Sequence, residues 1–259
     1  MRRHLPLALL ALLALLAAAP LARAAVNLAA VPIGRMDLPW WRARFERSLT
    51  LIHQKNPELV WLGDSITQNW ERSGPPAWRD FHPIWRRYYA RYRAVNLGFI
   101  GDDTASVIWR LDHGEVAGIS PRVVILLIGA NNLGAPHWGA RRTVPGIETV
   151  IEILHRKLPR AKVLLLGVLP SRRSAWITAQ TRAINAALAP LYANSPFVTF
   201  MDVNHVLEKN GHIDPSLYVE GHLHPTPHLL HPDAQGMERI AATIEPTLQR
   251  LMAASGTGP

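Results

Sequence analysis

Val60-Trp61-Leu62-Gly63-Asp64-Ser65-Ile66-Thr67 decides how the rest of the chain is read. An apolar run from Leu59 to Leu62 stops at Gly-Asp-Ser, and a polar segment with Asn69, Glu71 and Arg72 follows. This predicts a short buried strand whose C-terminal end delivers a serine into a turn. In open α/β sheets, ligands and chemistry sit at those strand ends. Ser65 is therefore a candidate nucleophile. The same tripeptide also occurs in ordinary turns, so support for that role must come from elsewhere in the chain.

Working outward, Trp40 to Gln54 places Trp41, Phe45, Leu49 and Ile52 at helical spacing ahead of that strand. A second helical stretch passes through Trp78, Phe81, Ile84, Trp85 and Tyr88, and a second strand covers 93–97, ending in Asn96-Leu97-Gly98. Asp102 and Asp103 read as helix caps for a segment running to His113. Val123 to Ile128 is continuously apolar, the mark of a strand covered on both faces, and ends in Gly129-Ala130-Asn131-Asn132. Helices over 144–158 and 176–192 alternate with strands over 162–168 and 197–201. A long irregular stretch, Asp202 to Leu230, precedes a last helix from Asp233 to Met252. Five strands alternating with helices predict a parallel sheet with helices on both faces. The long stretch is of the kind that serves function or moves.

Composition narrows the classes. Arg2-Arg3-His4, the apolar run from Leu5 to Ala19 and Ala22-Arg23-Ala24 form a secretory signal pattern. Residues 1–24 are expected to be a signal peptide and 25–259 a single domain, exported to the periplasm or secreted, with no stable membrane span after cleavage. There is no cysteine, which excludes a thiol nucleophile or thiolate metal site. Without Arg2, Arg3 and Arg23 the formal charge falls from +9 to +6. The remaining basic residues are scattered, as in Arg86-Arg87, Arg141-Arg142 and Arg172-Arg173, and no nucleic-acid motif accompanies them.

The strand ends carry complementary chemistry. A serine hydroxyl needs a base to take its proton, and His231, followed by Pro232, stands ahead of the last helix. Attack on an ester builds negative charge on oxygen, which needs fixed donors. The backbone N–H of Ser65, that of Gly98 and the side-chain amide of Asn131 could supply three. Asp64 reads as a structural residue of the serine turn.

In the order and spacing of Gly63-Asp64-Ser65, Asn96-Leu97-Gly98 through Gly101-Asp102, Gly129-Ala130-Asn131-Asn132 and His231-Pro232, the chain resembles the SGNH, or GDSL, hydrolase superfamily. Val107-Ile108-Trp109-Arg110-Leu111, Val124 through Gly129 and Ala161 through Gly167 are similar to its platelet-activating-factor acetylhydrolase-like branch. The resemblance implies a three-layer α/β/α flavodoxin-like fold whose five-stranded parallel sheet has order 2-1-3-4-5. It also implies no obligatory cofactor, and ester hydrolysis through an acyl-serine intermediate.

One position departs from the family pattern. The family usually carries Asp three residues before the histidine; here that third triad position is His228. Asp233, Asp214 or Glu220 could substitute, a backbone carbonyl could orient His231 in a Ser–His dyad, or the site could bind with little turnover. The expected function is an exported serine esterase acting on short acyl or O-acetyl esters, carbohydrate esters among them. The alternative is an impaired protein of the same fold serving as a glycan-binding or exopolysaccharide-assembly partner. Oligomeric state is not legible.

Two other readings compete for the aromatic and histidine-rich segments. His212, His222, His224, His228 and His231 invite a metal, but they match no metalloenzyme spacing, so no metal is expected. Thr67 replaces the second glycine of a Gly-x-Ser-x-Gly elbow, which disfavours the α/β-hydrolase fold. Trp70, Trp138 and Trp176 are candidates for stacking on sugar rings.

Overall fold

The computed structural model describes residues 25–223 and 228–254; the expected signal peptide lies outside them. The chain runs through α1 (Pro39–Lys55), β1 (Leu59–Gly63), α2 (Ser65–Gln68), α3 (His82–Tyr88), β2 (Val95–Gly98), α4 (Thr104–Asp112) and β3 (Val123–Leu127). It continues through α5 (Ala140–Lys157), β4 (Lys162–Leu166), α6 (Ala175–Tyr192), β5 (Val198–Met201), the short strands β6 (Glu208–Lys209) and β7 (His212–Ile213), α7 (Val219–Leu223) and α8 (Ala234–Ala254).

β1 to β5 form one parallel sheet of order 2-1-3-4-5, as the resemblance implies. β1 pairs Val60 with Val95 on one side and with Val124 on the other. Its five residues are all buried, which is why its sequence is a run and not an alternation. Alternation survives in which face each residue serves. Val60, Leu62, Val124, Leu126, Val163 and Leu165 pack with Ile52 of α1 and apolar residues of α4, α5 and α6. Leu59, Trp61, Val123, Ile125 and Leu164 pack on the opposite face with Ile84 of α3 and with Met237, Ile240, Ile244 and Leu248 of α8. Each such side chain contributes about 1.5–3 kcal/mol by leaving water, so both faces hold the sheet and fix where its ends stop.

The described part of the long stretch after β5 is more ordered than its composition predicts. It contains the β6–β7 hairpin, two single 3₁₀ turns and α7. Residues 217–219 then lie antiparallel to 231–233: Val219 N–H donates to His231 O at 2.9 Å, and Asp233 N–H to Leu217 O at 2.8 Å. Tyr218 and Pro232 form a single β-bridge there.

Candidate active site

The C-terminal ends of β1, β2 and β3 meet the segment before α8 in a cleft of about 270 Å³. Its walls include Ser65, Asn69, Arg72, Gly101, Asn131 and His231. Larger hollows elsewhere include neither Ser65 nor His231. Chemistry, not size, identifies the site.

Ser65 opens α2, directly after β1. Asp64 caps that helix: its Oδ1 accepts from Ile66 N–H at 2.9 Å, the structural role its position suggested. Burial pushes the Asp64 carboxyl up to about 6, against the Ile66 hydrogen bond and the nearby His231. Ser65 Oγ lies 2.9 Å from His231 Nε2, across 166 residues of sequence. The hydroxyl and the imidazole predicted to work together are within one hydrogen bond.

The third position is corrected. His228 is exposed. Glu220 occupies the imidazole's other edge, with Oε1 2.5 Å from His231 Nδ1. Its Oε2 accepts the backbone N–H groups of Leu230 at 3.2 Å and His231 at 3.1 Å. Burial alone would raise this carboxyl. The hydrogen bond and charge of His231, with the two backbone donors, instead hold it below the usual carboxylate range. A carboxylate on Nδ1 makes that nitrogen the donor and leaves Nε2 free to accept the serine proton. The other two acids named as substitutes serve elsewhere. Asp214 accepts from Ser216 N–H and Oγ. Asp233 accepts from Gly236 N–H at 2.8 Å at the start of α8 and meets His222 Nε2 at 2.9 Å.

Of the three oxyanion donors expected, the structure brings two to the cleft. Ser65 N–H sits in the first turn of α2, where helix amides have no intrahelical acceptor. Asn131 Nδ2 donates to Asp102 O at 2.9 Å, which fixes the amide and leaves its second N–H for the cleft. Gly98 is the correction. Its N–H is spent on Asn96 Oδ1 at 2.8 Å. A Cβ there would lie 2.2 Å from Gln68 N and 2.6 Å from Thr67 C, so its role is to let β2 touch the serine helix. Gly101, in the same motif, lines the cleft at φ +77°, a left-handed conformation that favours glycine. Its N–H makes no hydrogen bond among the described residues. Asn132 takes the bracing role: its Oδ1 accepts from Thr104 N–H at 3.1 Å and its Nδ2 donates to Thr104 Oγ1 at 2.7 Å.

Behind the cleft is a buried ionic cluster that sequence reading missed. Asp103 caps α4 as expected, accepting from Ser106 N–H at 2.9 Å. Asp102 is not a cap. It accepts from Arg110 Nε at 2.8 Å, Trp41 Nε1 at 2.7 Å and Arg35 at 3.2 Å. Fully buried Arg110 also pairs with Glu115 and lies over the Phe99 ring at 4.0 Å. It reaches the carbonyls of Gly63 and Leu97 at 3.3 Å each. One guanidinium thus links the ends of β1 and β2.

Residues 61–239 match the model of the GDSL-like lipase/acylhydrolase family. The chain belongs to that family. Over 165 residues it is 29% identical to the alpha1 subunit of platelet-activating factor acetylhydrolase IB from Bos taurus; the match covers 63% of this chain and 66%, just under two thirds, of that protein. Among solved structures, a GDSL-like lipase from Bacteroides thetaiotaomicron superposes with a TM-score of 0.60 at 18% identity, covering 80% of this chain and 98% of its own. A carbohydrate acetylesterase family member from Sinorhizobium meliloti gives 0.56 at 15% identity, covering 75% and 98%. At these identities the two structures share the fold.

The three tryptophans offered for stacking lie elsewhere. Trp70 is fully buried against Trp61 and Tyr89, and Trp138 is buried. Trp176 stacks on His137 at 3.8 Å, beside a different hollow. None of the three reaches the cleft. Among the described residues no group of three His, Asp or Glu side chains is arranged for a metal, and no helix is long and apolar enough to cross a membrane.

Proposed function

We propose that this chain is an exported serine esterase that cleaves short acyl esters, with O-acetyl groups on carbohydrates as the substrate class. The reading rests on one observation: the continuous contact Ser65 Oγ–His231 Nε2–Nδ1–Glu220, at 2.9 and 2.5 Å. In the proposed reaction His231 Nε2 takes the Ser65 proton as Oγ attacks the ester carbonyl. Glu220 stabilises the imidazolium that forms. The N–H groups of Ser65 and Gly101 and the Asn131 amide receive the oxyanion. Collapse expels the alcohol, which leaves with the proton from His231. Water then attacks the acyl-serine, with His231 as base, and releases the acid.

The size of the cleft, about 270 Å³ with Ile100, Val219 and Leu230 in its walls, favours a small acyl group. The carbohydrate assignment draws on the acetylesterase among the fold neighbours. Export draws on the Arg2-to-Ala24 pattern. The binding-only alternative depends on a missing carboxylate, and Glu220 stands where one is needed.

The test is p-nitrophenyl acetate turnover by the wild type and Ser65→Ala, with mass spectrometry of the quenched enzyme for an added acetyl group. Turnover that depends on Ser65 is expected. Equal rates for the two proteins would refute the esterase.

A further inference from the structure

The arginines around the cleft differ in whether a carboxylate neutralises them. Arg44 forms a two-pronged pair with Glu71, at 2.9 and 2.8 Å. Arg35 and Arg110 share Asp102. Arg72, in the wall of the cleft itself, has no carboxylate partner among the described residues, and neither has Arg79. Of the acids adjacent to them in sequence, Glu71 is committed to Arg44, and Asp80 accepts the N–H of Gly74 at 3.1 Å without pairing with either guanidinium.

Arg72 and Arg79 together line a second hollow of about 330 Å³ with Ser73, Gly74 and Pro75. Arg72 belongs to both hollows, so the cleft that holds Ser65 adjoins one lined by two arginines. Both cations stand on a fixed backbone. Arg72 O accepts from Phe81 N–H at 3.1 Å and His82 N–H at 2.9 Å, and Arg72 N–H donates to Asn69 O at 2.9 Å. The Arg79 guanidinium lies 5.6 Å from the centre of the Trp78 ring, and that ring stacks on His222 of α7 at 4.8 Å. Arg72 is exposed overall, and the partial burial of its guanidinium, then repulsion from Arg79, pushes it below its ordinary value. An anion between the two would relieve that repulsion, and guanidinium forks match carboxylate and phosphate oxygens in pairs.

We propose that Arg72 and Arg79 form an anion subsite beside Ser65, which selects esters whose portion outside the cleft carries a carboxylate or a phosphate. This rests on the esterase reading and narrows it to acyl esters of acidic molecules, an acidic sugar being the carbohydrate case.

The experiment compares kcat/KM for three acetyl esters: neutral phenyl acetate, 4-acetoxybenzoate and 4-acetoxyphenyl phosphate. The wild type should prefer at least one anionic ester by roughly tenfold or more over the neutral one. The carboxylate and phosphate arms identify which anion fits. Arg72→Gln and Arg79→Gln should each erode that ratio, mainly through KM, with the melting temperature followed alongside. Raising salt from about 0.05 to about 0.5 M should shrink the wild-type preference, a measurement that needs no variant to fold. Ser65-dependent hydrolysis without preference for either anionic ester would overturn the subsite and leave the esterase standing. A preference that survives both substitutions and high salt would also overturn it. Turnover indifferent to Ser65→Ala would instead defeat the esterase reading.

Discussion

Replacing Glu220 with Gln tests the site at the carboxylate that holds His231. The substitution keeps the shape, and the amide oxygen can still accept the N–H groups of Leu230 and His231, now 3.2 and 3.1 Å from Oε2. What changes is the 2.5 Å contact with His231 Nδ1. If the amide nitrogen turns toward the ring it donates, so Nδ1 must accept and Nε2 carries the proton. An Nε2–H cannot take the Ser65 proton across the 2.9 Å gap. If the amide oxygen faces the ring, the tautomer is right, but the imidazolium formed during attack loses its counter-charge. In a Ser-His-Asp triad the equivalent loss lowers kcat about 10⁴-fold, about 5.4 kcal/mol of barrier. We expect Glu220→Gln to lose between about 10² and 10⁴ in kcat for p-nitrophenyl acetate, with KM little changed. Thermal melting followed by circular dichroism separates this from unfolding. His228→Asp should leave the rate near wild type, because the Nδ1 edge is already taken. A Glu220→Gln enzyme within threefold of wild type, or a marked gain from His228→Asp, would refute the reasoning.

Three further outcomes follow from the same geometry. Arg110→Met leaves Asp102 and Glu115 buried without their shared cation, and breaking a buried pair costs about 3–5 kcal/mol. For a domain of this size that is a fall in Tm of roughly 6–20 °C by calorimetry, toward the lower end because Trp41 and Arg35 still hold Asp102. Asn131→Ala removes one oxyanion donor and should lower kcat about 10²–10³-fold in steady-state assays while melting shifts far less. Asp64→Asn probes linkage. The Asp64 carboxyl titrates at about 6 in the fold against 3.8 ordinarily, so ionisation weakens the native state. The stability its neutral form retains is full below pH 3.8 and gone above about 6. An Asn can still cap α2, so the variant should match wild type in urea titrations at low pH and exceed it at neutral pH by on the order of 3 kcal/mol. An equal gap at both pH values would count against that titration.

The sheet was legible because burial on both faces writes strands as apolar runs, and Leu59 to Leu62 and Val123 to Ile128 are such runs. Ser65, Asn131 and His231 were legible for a related reason, since each stands where an apolar run or a helix pattern meets polar residues. The sequence points to Gly98 and gives no sign of Gly101. Which amide is free depends on the Asn96 side chain folding back onto Gly98, a local contact with no pattern in sequence. Asp102 looked like a cap because its partner Arg110 comes eight residues later on a face that only the packed helix defines. Glu220 was one of three acids named as substitutes. It is singled out by the short antiparallel pairing of 217–219 with 231–233, too brief to leave a periodic trace.

That pairing has a consequence for how such chains are sorted. The carboxylate reaches the ring from eleven positions upstream on a helical turn, not from the customary three. A scan that demands an acid at one fixed offset would miss the carboxylate on this imidazole. The spatial address of the charge is what the imidazole constrains, and its position along the chain is free to drift wherever a neighbouring turn can carry it to the same point.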